Sequence, residues 1–168
     1  MSQETVMTKK PGKSSLDEIV CEIDIAAPPA RVFKAISDAA DIRRRSPSLD
    51  LFEMDTRVGG KWLLEMTPGQ LYRGVKTIRH EGEILELDPP RLLVYTWLAN
   101  FHDNPNLRTI VRWELTPIPN GMHVKLTHSG LASEPHSAKD YAGGWKGVLE
   151  ELKAAVENKI EEGKGSHD

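Results

Sequence analysis

Two periodicities divide this chain. Between residues 17 and 129 apolar positions recur mostly at every second residue, and from residue 141 they recur at every third or fourth. Segment 17–25 sets Ile19, Cys21, Ile23 and Ile25 on one side and Glu18, Glu22 and Asp24 on the other, the mark of a half-buried strand. Ala27-Pro28-Pro29 ends that strand and opens a helix, because proline is tolerated in a first helical turn; Val32, Phe33 and Ile36 form its apolar stripe. Asp38 is placed to cap a second short helix over 39–45. Strands are then expected at 49–55, 61–66, 75–87, 92–99, 108–116 and 122–129. Arg57-Val58-Gly59-Gly60, Thr67-Pro68-Gly69-Gln70 and Asp88-Pro89-Pro90-Arg91 are turns between them. Pro119-Asn120-Gly121 is a hairpin signal, since Asn-Gly supplies positive φ at low cost. Parity fails near Ile84-Leu85, which predicts a bulge. The 92–99 segment is apolar on both faces, which predicts a central strand.

The last periodic segment reads as one long amphipathic helix over 141–160. Stepping about 100° per residue from Tyr141 gathers Tyr141, Trp145, Val148, Leu152 and Val156 in one stripe, with Leu149 and Ile160 on its flank. That stripe must be buried, and the earlier chain offers mainly strands to bury it against. The expected fold is therefore α+β: a curved antiparallel sheet of six or seven strands wrapped on a long C-terminal helix, with two short helices after strand 1. The expected division is a disordered lead-in at 1–16, a single domain at 17–161 and a frayed tail at 162–168.

Composition narrows the function classes. The chain has 168 residues, which is one domain by length, able to bury about two-thirds of its unfolded surface. A net charge of −3 gives no electrostatic case for nucleic acid or an anionic membrane. No apolar run reaches the roughly 18 residues that a membrane-spanning helix needs, and residues 1–15 lack the apolar core of a signal peptide. The single cysteine, Cys21, has no internal disulfide partner, which fits a reducing, cytoplasmic setting. Its side of the strand makes it a small core residue or, alternatively, a reactive thiol.

Little in the chain carries catalytic chemistry. His123 and His128 are an odd number of residues apart on a strand, point to opposite faces, and cannot chelate one ion; no metal and no cofactor are expected. Ser129 adjoins His128, but neighbouring strand side chains diverge and no nucleophile-elbow pattern appears. Gly59-Gly60 is a turn and not a phosphate loop. His128 shares the parity of Val124 and Leu126, so it is either a hydrogen-bonded core histidine or a polar contact to a ligand or a general base. Arg43-Arg44-Arg45 is either a solvated helix end or a charged rim that meets an acidic ligand group. Trp62, Trp97, Trp113 and Trp145 are core or pocket wall, and Tyr95 and Tyr141 carry phenols that need partners when buried. Parity assigns an inward set of Trp62, Leu64, Met66, Val111, Trp113, Leu115, Val124 and Leu126, with His128 near its end. Between that set and Trp145, Val148, Leu149 and Leu152 of the helix, a ligand pocket of roughly 300–1,000 Å³ is expected.

Several motifs also carry a resemblance. Ala27-Pro28-Pro29-Ala30-Arg31-Val32-Phe33, Val58-Gly59-Gly60-Lys61-Trp62 and Gly82-Glu83-Ile84-Leu85-Glu86-Leu87-Asp88-Pro89-Pro90-Arg91-Leu92 are similar to the START-like, or SRPBCC, superfamily. Tyr95-Thr96-Trp97, Leu126-Thr127-His128-Ser129-Gly130-Leu131 and Gly143-Gly144-Trp145-Lys146-Gly147-Val148-Leu149 narrow it. Together they resemble the bacterial proteins related to the C-terminal domain of the heat-shock-protein ATPase activator. The chain departs at Arg44-Arg45-Ser46, where many relatives carry a tryptophan pair. The resemblance implies a helix-grip fold with a cavity between sheet and helix. It implies binding of a small apolar ligand, as carrier or sensor; the alternatives are a polyketide cyclase- or dehydratase-like enzyme and a chaperone-activator-like interaction module. The expected partner is a small apolar ligand, with neither nucleic acid nor membrane, and the chain stands as a monomer or homodimer.

Overall fold

A computed structural model describes residues 17–165, with side chains described through Glu157. The lead-in expected at 1–16 and the last residues of the tail expected at 162–168 lie outside the described residues, as does the side chain of Ile160. The elements are β1 (Glu18–Ile25), α1 (Pro29–Ser37), α2 (Ala39–Arg45), β2 (Leu51–Met54), β3 (Lys61–Met66), β4 (Ile78–Asp88), β5 (Leu92–Ala99), β6 (Thr109–Ile118), β7 (Gly121–Ser129) and α3 (Pro135–Gly165). Strands that alternate apolar and polar residues bury their apolar sides on a shared face. Here all seven join one antiparallel sheet in the order β1-β7-β6-β5-β4-β3-β2. The doubly apolar β5 is its middle strand, as its sequence predicts.

β1 and β2 follow one another in the chain yet form opposite edges of the sheet. The two short helices make that crossing. Asp38 is the joint between them: its N–H closes α1 on the carbonyl of Lys34 at 3.0 Å, and its carboxylate caps α2 by accepting the N–H of Asp41 at 3.0 Å. The basic end of α2 is tied down. Arg43 Nη1 donates to the carbonyl of Phe52 and Arg45 Nη1 to that of Ala35, each at 2.7 Å. Arg44, half-exposed, reaches the buried carboxylate of Asp41 at 3.2 Å.

α3 begins at Pro135, six residues ahead of the expected start, with the Glu134 carbonyl accepting the first helical N–H, from Ala138, at 2.9 Å. Proline at a first helical position was the available signal. The helix buries Ala138, Tyr141, Trp145, Leu149, Leu152 and Val156, and it lies beside β1. Lys153 Nζ donates to the carbonyl of Asp24, and Glu157 accepts the N–H of Ala26, both at 2.8 Å.

β4 and β5 do not pair evenly. The register shifts between Ile84 and Glu86, at the bulge the broken parity predicts. Just before it, the Thr96 hydroxyl accepts the N–H of Glu83 at 2.8 Å, while the Thr96 carbonyl accepts the indole N–H of Trp62 at 2.9 Å. Trp62 reaches across β4 because Gly82 stands between: a Cβ there would lie 1.9 Å from the Thr96 oxygen and 2.6 Å from the indole nitrogen. Gly82→Ala should therefore lower stability by about 1–3 kcal/mol, the ordinary cost of overpacking a closed core. A urea titration checks this, and an unchanged midpoint would show that β4 and β5 separate there at no cost.

Candidate functional site

The helix covers only part of the concave sheet face. Val111, Leu115, Val124 and Leu126 of β6 and β7 share one buried core with Leu149 and Leu152 of α3. Away from it, toward β2, β3 and β4, a cavity of about 360 Å³ remains. Phe52 and Met54 enter it from β2, and Trp62, Leu64 and Met66 from β3. His80, Tyr95, Trp97 and Trp113 enter it from β4, β5 and β6. Tyr141, Gly144, Trp145, Val148 and Glu151 form its α3 wall, with Ile36 and Ile42 from the short helices. The exposed Ser48, Gly144 and Glu151 edge its mouth, beside the more buried Arg45.

Of the residues assigned to a pocket from sequence, Trp62, Leu64, Met66, Trp113, Trp145 and Val148 line this cavity. Val111, Leu115, Val124, Leu126, His128, Leu149 and Leu152 do not. The five sheet residues among them and the two leucines of α3 are buried together and lie outside the cavity lining. Parity fixes the face of a strand and says nothing about how far along the sheet a helix lies. His80 was missed although it shares parity with Ile78 and Ile84, both buried. Its neighbours Arg79 and Glu81, and the absent side chain of Gly82, mask that alternation. Of the basic cluster, only Arg45 lines the cavity.

The wall is held by a polar chain within the aromatic cluster. An indole nitrogen can only donate, so Trp145 Nε1, 3.0 Å from His128 Nδ1, fixes that nitrogen as acceptor. The His128 proton then sits on Nε2, which donates to Thr109 Oγ1 at 2.8 Å; the threonine in turn donates to the Trp97 carbonyl at 3.1 Å. Both imidazole nitrogens are committed, and His128 is fully buried. This is the hydrogen-bonded core histidine of the alternatives. Trp97 Nε1 donates to the Tyr141 hydroxyl at 3.0 Å, which also meets His102 Nε2 at 2.8 Å. The buried Glu134 holds the loop that carries His102 by accepting the N–H groups of Asp103 and Asn104 at 2.9 and 2.8 Å. Trp113 Nε1 donates to the Tyr95 hydroxyl at 3.0 Å.

These surroundings set the charges. Burial, aided by the neighbouring imidazoles, pushes the pKa of both His80 and His128 down to about 3, and burial also lowers that of His102. Burial pushes the Tyr95 phenol up to about 12 and raises that of Tyr141. The cavity wall is thus uncharged at neutral pH except at its mouth. Burial also raises the Cys21 thiol, which makes it a poor nucleophile and favours the small-core-residue alternative. No group of three metal-ligating side chains converges among the described residues.

A curved antiparallel sheet holding a C-terminal helix, with a cavity between them, is the helix-grip architecture of START-like proteins. Within it, the chain belongs to the family described as activator of Hsp90 ATPase homolog 1-like protein, which matches residues 26–157. Among solved structures it is similar to the Mll3558 protein from Rhizobium loti, with 27% identity over 82% of this chain and 94% of that one and a TM-score of 0.68. It is also similar to protein MLL2253 from Mesorhizobium loti, with 25% identity over 84% and 97% of the two chains and a TM-score of 0.65. Aha1 from Colwellia psychrerythraea, solved as a dimer, shares the fold alone: 16% identity over 83% and 95%, TM-score 0.66. No curated protein matches the chain in sequence.

The buried histidines set a pH dependence. Unfolded, each takes up a proton near pH 6.5; folded, His80 and His128 hold out to about 3. The unfolded chain therefore binds more protons in that window, and stability falls as pH falls through it, by up to about 1.4 kcal/mol per pH unit for each histidine. His123 acts oppositely: the hydrogen bonds it donates to the Asp24 and Glu22 carboxylates raise its pKa, so it stabilises below its unfolded value and that contribution is lost as pH rises through the folded one. Urea midpoints should drop between pH 7 and pH 5, above the range where ordinary carboxylates titrate, and the drop should shrink in His128→Gln. A flat profile over that interval would contradict neutral burial.

Proposed function

We propose that this protein binds a small apolar molecule in the cavity between α3 and the β2–β4 side of the sheet, as a carrier or sensor. The observation that carries this reading is the cavity itself. Its volume, about 360 Å³, falls within the usual range for small-molecule sites, and its lining is aromatic and aliphatic with a few convergent polar atoms. The wall supports holding a molecule rather than turning it over: the one carboxylate on it, Glu151, is exposed, and burial pushes the pKa of the one imidazole on it, that of His80, down to about 3, which makes it a weak base.

Gly144 provides the test. It lies at the mouth, on a helix, and an added Cβ would meet nothing within 4 Å. Gly144→Phe should leave the helix at least as stable, since glycine is a poor helix former, while placing bulk over the opening. Leu64→Trp fills the same space from the sheet. The wild type should take up N-phenyl-1-naphthylamine saturably, and each variant should weaken uptake about tenfold or more with its thermal melt retained. No saturable uptake by the wild type, or uptake unaffected in both variants, would overturn the reading.

A further inference from the structure

The cavity wall spends nearly all of its hydrogen-bonding capacity on itself. Trp62 donates to the Thr96 carbonyl, Trp97 to Tyr141, Trp113 to Tyr95 and Trp145 to His128, so none of the four indoles is free for a ligand. His80 is the exception. Both of its ring nitrogens are shut off from solvent, and neither has a partner among the described residues. The residue as a whole is half-buried, its ring lying 4.3 Å from that of Trp97 and edge-on to Phe101 at 5.4 Å. A phenylalanine would fill that place without stranding two polar atoms. Leaving them unpaired is a cost, and a buried unpartnered group calls for a reason.

The chemistry of that group defines what satisfies it. The imidazole is neutral, so one nitrogen donates and the other accepts. The Tyr95 hydroxyl, also on the wall, accepts from Trp113 and donates to none of the described residues. An uncharged oxygen meets both needs. A carboxylate would find no free cation on the wall, since Arg45 is engaged by Ala35 and Asp41, and an ammonium would find only the exposed Glu151 at the mouth, close to Arg45. Trp62, Tyr95 and Trp97 line the cavity with rings tilted against one another, centroids 5.1 Å from Trp62 to each of the others, and so aromatic a wall favours an aromatic ring.

We propose that His80 is the polar anchor of the cavity, and that the bound molecule is a flat, uncharged aromatic whose hydroxyl or carbonyl oxygen hydrogen-bonds to this imidazole once the ring turns a covered nitrogen toward the cavity. The assignment rests on the cavity being a ligand site, and the experiment separates the two claims. Binding of 2-naphthol and of 2-methylnaphthalene, nearly equal in shape, is measured by NMR titration of the wild type and of His80→Phe. The wild type should prefer the naphthol by about tenfold, the worth of one hydrogen bond in a dry site, with the ring nitrogens of His80 shifting on binding. His80→Phe should fold with an equal or higher melting temperature, bind both, and lose the preference. Equal binding of the two by the wild type, or a preference that survives in His80→Phe, overturns the anchor and leaves the ligand site standing. Failure of both compounds to bind the wild type overturns the site and the anchor together.

Discussion

One α-helix with its side chains is about 10 Å across, whereas seven strands spaced about 4.8 Å apart present a face roughly 30 Å wide. The rest of this structure depends on that mismatch. α3 settles beside β1, tied there through Lys153 and Glu157, and so covers the β1-β7-β6 side. The β5-to-β2 side must be closed by other means. The crossing between opposite edges packs α2 against β2 and brings Ile36 of α1 and Ile42 of α2 to the wall on that side, and large side chains from β3, β5 and β6 complete it. What they do not fill is the cavity. Its position follows from where the helix sits, and its shape from the aromatics that stand beside it.

Those aromatics bring polar atoms into a dry interior, and the structure answers most of them in pairs. Trp97 is the centre: its ring lies near those of Trp62, His80, His128, Tyr141 and Trp145, and its carbonyl ends the chain that begins at the Trp145 indole. A satisfied network of this kind fixes rotamers, because every member has one geometry in which its partner is reached. The same network joins α3 to β5, β6 and β7 at one level of the sheet. It holds the helix in place and keeps the cavity wall rigid with the same bonds.

The strand pattern made the fold legible because each short-range choice agreed with the global one: the Asp38 cap, the β4 bulge, the central β5 and the Asn120 turn are all local signals. The candidate site was legible only in part, for a physical reason. Alternation told that Val111, Val124 and Trp62 share a face, but the separation of packed core from open wall is set by the lateral seat of α3, to which no periodicity refers. For His128 parity gave the face and left core histidine and ligand contact both open; its role is decided by Trp145 and Thr109, which are distant in the chain. His80 was hidden among the charged residues of β4, next to a glycine whose purpose is to let Trp62 through.

Two local costs fall on the cavity wall. Glycine at position 144 weakens a helix that has room for a larger residue, and the imidazole at position 80 buries two polar atoms without protein partners. Elsewhere among the described residues most buried polar groups are met, His102 Nδ1 being the other unpartnered atom: Asp41 is buried among three arginines, Glu134 holds two backbone N–H groups, and each indole has its acceptor. A packing defect alone would place such costs anywhere in the core. Gly143 and Gly147 carry the same helix cost off the cavity lining, so what fits a wall shaped to receive another molecule is the meeting of Gly144 and His80 at one opening, on two different elements. Gly144 leaves room at the entrance, and His80 leaves a hydrogen bond unmade inside it.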